Sequence, residues 1–145
     1  MTPRGIRNNN PLNIRIGNSW KGEVQYPSDR EFEQFISLFY GLRAAFYLLR
    51  RYMLRYHLLT ISEIVSRWAP ETENATRAYI TQVATYTGFP KDMILSWYEV
   101  DYMVPLVLAM ARVECGGYHL DYNAVTEAYY AVCDEFKDKV KAKEP

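Results

Sequence analysis

Two carboxylates, an asparagine-rich string and two thiols are the residues of this 145-residue chain whose types and spacing could do chemistry. Glu114 stands near the C-terminal end of an apolar stretch, VPLVLAMARVECGG, among Met110, Ala111 and Val113. An apolar surround disfavours the charged form of a carboxyl, and the negative end of a helix dipole acts in the same direction. A carboxylic acid kept neutral near pH ~6 can protonate a glycosidic oxygen. The same spacing also suits an exposed Glu at a helix end. Glu73 lies in RWAPETENATRAY. Near a helix N-terminus the dipole favours its ionised form, which fits either a catalytic partner or a capping group. Asn74, Thr76 and Tyr79 fall within two turns of Glu73; the first two also suit caps, and Tyr79 suits a core.

The string RNNNPLNIRIGNSWKG places Asn9, Asn10 and Asn13 ahead of Trp20. An Asn amide both donates and accepts, which fits sugar hydroxyls and acetamido groups, and an indole can stack on a sugar ring. The alternative is a turn-forming loop, because Asn tolerates left-handed backbone and bonds its own chain. Cys115 falls at the C-terminal end of its helix, where the dipole disfavours the thiolate that a nucleophile requires. Cys133, among Tyr129, Tyr130 and Val132, reads as core. His57 and His119 stand alone without zinc-ligand spacing, so neither a metal nor another cofactor is expected.

These residues need elements to hold them. Residues 1–30 are rich in Asn, Pro, Gly and Ser, which predicts a loop with a short hairpin, followed by a short extended segment around EFEQFI. From Gly41 the spacing of Leu42, Ala45, Phe46, Leu49, Met53 and Tyr56 is helical. Its Arg residues interleave with aromatics, which suits a solvated face or a nucleic-acid surface. Thr60-Ile61-Ser62-Glu63 reads as a capping box opening a helix to Trp68, stopped by Pro70. A third helix is capped by Thr72 or Asn74 and ends at Gly88, and a short one runs from Lys91 to Trp97. Pro105 suits the first turn of the next, which ends at Gly116-Gly117. The last spans Asn123 to Lys139. The expectation is one mainly α (α+β) domain over residues 1–145: an Asn-rich loop and β-hairpin at 1–36, helices over 37–139 and a charged tail at 140–145.

Composition bounds the rest. With 49% hydrophobic residues and no net charge, the chain is not of the disordered class. The longest apolar run, Tyr102 to Ala111, is half of the ~20 residues that a membrane helix needs. Residues 1–68 carry ten Lys/Arg against five Asp/Glu, and residues 69–145 carry seven against twelve. Attraction between the halves explains this, as would a basic face for an anionic polymer. Nucleic acid is not the expected partner. The N-terminus, MTPRGIRNNNP, has no apolar core and does not read as a secretory signal.

The strings RGIRNNNPLNIR, FEQF, GLRAAF and RWAPETENATRAYI, with Trp20-Lys21-Gly22 between the first two, resemble a family of short phage and prophage proteins. These are virion structural proteins related to the lysozyme-like superfamily, and the resemblance covers roughly residues 4–117. The Asn-rich string is also similar to the Asn-Asn-x-Phe-Gly-Ile element of autolysin-type N-acetylglucosaminidases. In those enzymes the catalytic Glu precedes the string, at the end of an apolar helix. Here nothing upstream fits, whereas LAMARVECGG lies at the other end of the chain. The resemblance therefore implies a circularly permuted lysozyme-like domain with Glu114 beside the Asn-rich loop. A structure holding Glu114 far from Asn10 and Asn13 would exclude that.

The resemblance implies cleavage of peptidoglycan glycan strands by a muramidase, glucosaminidase or lytic transglycosylase. Glu114 would be the general acid, and Glu73 the base if it lies ~6.5–9.5 Å away. Asn9, Asn10, Asn13, Trp20, Trp68, Asn74, Thr76 and Tyr79 would line the groove. The alternative is a non-catalytic virion or wall-binding module with the same fold. The implied partners are glycan strands and components of a phage particle or a secretion machine. A protein made in the cytoplasm without a signal peptide would then reach the wall after lysis, by packaging, or by delivery through another system.

Overall fold

The computed structural model describes residues 2–70 and 72–141, so the end of the expected charged tail, 142–145, lies outside the described residues. The element order is α1 (Arg4–Arg7), α2 (Leu38–Arg50), a π-helical turn (Arg51–Arg55), α3 (Ile61–Trp68), α4 (Glu73–Thr87), α5 (Val100–Glu114) and α6 (Tyr122–Phe136). The protein is mainly helical.

Local chemistry sets most helix boundaries. The Thr60 hydroxyl accepts the Glu63 N–H at 3.1 Å, and the Glu63 carboxylate accepts the Leu59 N–H at 3.2 Å. Two orphan donors at the start of α3 are thereby satisfied. Thr72 accepts the Ala75 N–H at 3.1 Å and opens α4, which ends at Gly88 in left-handed backbone (φ 77°). Asp121 accepts the Ala124 N–H at 3.0 Å and opens α6. Helix α2 begins at Leu38, three residues before the glycine where its periodicity becomes visible.

The helices pack as a body in which α2 lies on α6, α6 on α5, α5 on α4 and α4 on α3. The stripe Leu42, Ala45, Phe46, Leu49 and Met53 is buried as its spacing requires. Phe46, Trp97 and Tyr129 meet edge to face or tilted, with centroids 5.2–6.1 Å apart. Each large apolar side chain buried here contributes roughly 1.5–3 kcal/mol. The Tyr129 hydroxyl donates to the Trp97 carbonyl at 2.6 Å. The Trp97 indole donates to Asp138, which also pairs with Arg50 at 2.7 Å.

Three expectations need correction. Residues 91–97 form turns and extended chain rather than a helix. The Lys91 carbonyl and the Leu95 N–H are drawn into backbone bonds with Ser62 and Leu59, so a tertiary pairing replaces the helical one. Helix α5 begins at Val100, which puts Pro105 inside it rather than in its first turn. Residues 8–37 form a strap with no continuous hairpin among the described residues. It has two isolated antiparallel bridges, Arg15 with Phe32 and Glu23 with Phe35. Asparagine side chains supply the rungs that a ladder would otherwise supply.

Candidate functional site

The groove forms where the strap crosses the ends of four helices, α2, α3, α4 and α5. Gly5 and Gly41 permit that crossing. A Cβ on Gly5 would stand 2.9 Å from the Asn10 carbonyl, the Asn13 Oδ1 and the Cys115 sulfur. A Cβ on Gly41 would collide with the Asn9 backbone. Cys115 donates to the Pro11 carbonyl at 3.3 Å, and the Trp68 indole donates to the Leu12 carbonyl at 3.1 Å. The strap is thus bonded to the ends of α5 and α3.

A cavity of about 390 Å³ lies beneath it. Asn13, Ile14, Arg15, Asn18 and Phe32 of the strap form one wall. Leu48 and Tyr52, Trp68 and Ala69, and Ala75 and Tyr79 form the other walls, with Glu114 among the lining residues. The Glu114 carboxylate is held from two sides. Asn13 Nδ2 donates to Oε1 at 3.0 Å and the Tyr79 hydroxyl donates to Oε2 at 3.0 Å. Asn13 sits in left-handed backbone (φ 52°), which Asn tolerates better than most residues. Asn13 and Glu114 are 101 residues apart in sequence. Of the two asparagines expected beside Glu114, Asn13 meets it and Asn10 does not line the groove.

Burial chiefly, and the Glu114 charge next, push the Tyr79 hydroxyl well above its ordinary pKa, so Tyr79 remains a hydrogen-bond donor at physiological pH. The aromatic walls are also fixed. Tyr52 and Trp68 meet edge to face at 5.7 Å. Arg4 and Arg15 both lie over the Phe32 ring, 4.6 and 5.0 Å from its centroid. Tyr52 belongs to the π-helical turn, a feature often found at functional sites.

Of the residues singled out in the sequence, the structure brings Glu114, Asn13, Trp68 and Tyr79 together and leaves the others elsewhere. Asn10 is fully buried, donating to the Ile14 and Glu33 carbonyls and accepting the Ile14 N–H. Asn9, with φ 52°, donates to the Phe35 carbonyl. Both are the strap's own fasteners. Trp20 packs on the core with its edge against Tyr47 and does not line the groove. Glu73 is 87% exposed, pairs with Arg77 at 3.0 Å and borders a separate depression together with Thr76. Thr76 donates to the Ala69 carbonyl at 2.5 Å. Asn74 is exposed on the first turn of α4. Glu114 is thus the single carboxylate among the described lining residues.

Sequence reasoning missed Arg15, Asn18, Phe32, Leu48, Tyr52 and Ala75. Arg15 and Asn18 carried a signal as members of the Asn-rich string and Tyr52 as part of the Arg- and aromatic-rich helix, whereas Phe32, Leu48 and Ala75 carried none that pointed to a groove. The Cys115 thiol is pushed up to about 11, mostly by burial and then by the Glu114 charge, which disfavours a thiolate nucleophile. Among the described residues no group of three or more His, Cys, Asp or Glu could hold a metal ion. No described helix is long and apolar enough to cross a membrane.

No protein-family model matches the chain. The chain is similar to Protein P5 of Pseudoalteromonas phage PM2, with 40% identity over 131 residues that cover 87% of this chain and 79% of P5.

Proposed function

The chain belongs to the family of Protein P5 of phage PM2, and on that premise we propose that it is a phage virion component whose groove binds peptidoglycan glycan strands without cutting them. The observation that carries this reading is the pairing at Glu114. Its carboxylate is fixed by Asn13 and Tyr79 in a groove walled by Tyr52, Trp68 and Phe32. A fixed acceptor beside aromatic side chains suits a sugar, whose hydroxyls meet the carboxylate while its apolar ring surface packs on the aromatics. Hydrolysis by two carboxylates needs a second one across the scissile bond, and Glu73 is directed elsewhere. Packaging in the particle delivers such a module to the wall.

A second reading is favoured by one feature. Glu114 ends an apolar helix inside the groove, where a single general acid would stand, and transglycosylation needs no second carboxylate. The two readings are separated by incubating sacculi with the wild type, Trp68→Ala and Glu114→Gln, then measuring pelleted protein and soluble fragments by mass spectrometry. The binding reading expects wild-type protein in the pellet, about tenfold weaker retention of Trp68→Ala, and no fragments. Fragments released by the wild type and not by Glu114→Gln would replace it with the cutting reading. Equal absence of all three proteins from the pellet would end both.

A further inference from the structure

The π-helical turn carries a basic array that borders the groove. Arg51, Arg55, Tyr56 and His57 of this segment are exposed, as is Arg67 on α3. The Tyr56 N–H donates to the Arg51 carbonyl and closes the turn, and Arg51 and Arg55, four residues apart, lie on one side of it. His57, at φ 55°, reverses the chain so that the Leu58 N–H bonds back to the Tyr52 carbonyl at 3.0 Å. The Arg67 guanidinium lies over two rings, 5.0 Å from the Tyr56 centroid and 5.6 Å from that of Tyr52. Arg55 shares the Tyr56 ring at 5.8 Å. Burial raises the Tyr52 hydroxyl, and the Arg67 and Arg51 charges oppose that rise, which puts both cations near it.

Among the described residues no carboxylate pairs with Arg51, Arg55 or Arg67. Glu63, one turn before Arg67 on α3, is engaged by the Leu59 N–H and the Thr60 hydroxyl instead. Like charges kept together without a counter-charge repel, so the cluster favours an incoming anion. A guanidinium stacked on a ring keeps its N–H groups free in its own plane, and their fork matches a carboxylate. Several accessible cations around shared rings suit a repeated anion on a polymer. Tyr52 connects this array to the groove. It lines the groove and meets Trp68 at 5.7 Å, and Arg67 lies over its ring. A strand lying against Tyr52 and Trp68 therefore brings what it carries within reach of the array. On peptidoglycan those groups are short peptide stems with free carboxylates. We propose that Arg51, Arg55 and Arg67 form a recognition surface for stem-peptide carboxylates, so that the groove takes stem-bearing glycan in preference to bare glycan. The inference rests on the glycan-binding reading.

The test is affinity for sacculi before and after carbodiimide amidation, which turns the stem carboxylates into neutral amides and leaves the sugars intact. The wild type should bind untreated sacculi about fivefold more tightly than amidated ones. The double variant Arg51→Gln/Arg55→Gln leaves the groove lining and the stack of Arg67 on Tyr52 in place. It should lose most of that difference, with its thermal midpoint unchanged. Arg67→Gln should lose it in the same way. Trp68→Ala should bind both forms more weakly and keep the preference for the untreated one. Equal wild-type affinity for the two forms would overturn the inference and leave the glycan reading standing. Absence of the wild type from both pellets would end the glycan reading and the inference with it. Binding of a mixed-sequence DNA duplex more tightly than untreated sacculi, lost in the same arginine variants, would overturn the inference and assign the array to nucleic acid.

Discussion

The strap and the helical body are stabilised by different means. In the body, apolar side chains do most of the packing, and polar groups serve as caps or as isolated ties such as Arg50–Asp138. In the strap, side chains take over the role of a ladder. Asp29 accepts from both nitrogens of an Arg4 fork at 2.7 Å, from Asn8 and from the Glu31 and Phe32 amides. The Arg4 guanidinium, helped by these further donors, holds its carboxyl far below the usual range. Gln34 fastens the Ser28 and Asp29 amides. A segment too irregular for strands must satisfy its buried backbone groups individually, and amide and carboxylate side chains are suited to that. The first asparagines of the string are therefore scaffold, and of its asparagines only Asn13 and Asn18 line the groove, together with Ile14 and Arg15.

That contrast is broken most directly at Asn10. Replacing it with alanine removes the Asn10 partner from the Glu33 carbonyl and the Ile14 N–H and leaves the Ile14 carbonyl with the Glu33 N–H alone, inside a fully buried site. The expected loss is about 3 kcal/mol, measured by urea denaturation. A loss close to that of an exposed Asn would mean that water replaces the amide and that the strap does not depend on it.

The next effect is one of pH. Glu33 is 6% exposed, and its carboxyl is pushed up to about 8 by burial first and then by its hydrogen bond to Glu23 and that group's charge. In the unfolded chain the same group titrates near 4.5. Between those values the unfolded state has released a proton that the folded state retains. Stability therefore falls as pH rises through this window and levels off above it. The expected fall from pH 5 to pH 8 is about 2 kcal/mol, less than the full shift because charges on a partly exposed partner are screened. Glu33→Gln should flatten the profile and exceed the wild type at pH 8. Parallel profiles for the two proteins would show that the carboxyls share no proton.

The body gives a smaller response to loss of one polar group. Thr60→Ala removes the cap of α3, for an expected loss of about 1 kcal/mol in the same denaturation series. If this matched the Asn10 loss, the distinction between a strap held by polar bonds and a body held by packing would fail.

Much of the body was legible from the sequence. The capping box at Thr60, the cap at Thr72 and the Gly88 stop act locally, and apolar periodicity records which face is buried. What was not legible depends on distant partners. Residues 91–97 lose their helix to backbone bonds with Leu59 and Ser62. The π-helical turn leaves no distinct mark in a stripe already read as helical. Asn10 and Asn13 carry the same amide and differ only in what surrounds them, so residue type could not separate fastener from groove wall. The meeting of Asn13 with Glu114 was suggested by the resemblance, since no local pattern connects positions 101 residues apart.

Glu73 provides the smallest expected effect and the sharpest limit on the site. Its carboxylate is exposed, pairs with Arg77 one turn along α4 and lies outside the groove lining. An exposed pair at this spacing contributes only about 0.3–0.5 kcal/mol. Glu73→Gln should therefore change the denaturation midpoint little and leave retention on sacculi at the wild-type level. Trp68→Ala should do the reverse in the binding assay. The two residues lie on either side of a short connection, so a shared loss would mean that this segment moves as a unit and that the groove extends past Ala69. Separate outcomes would place the groove's edge between them, with the aromatic wall on one side and a solvated helix start on the other.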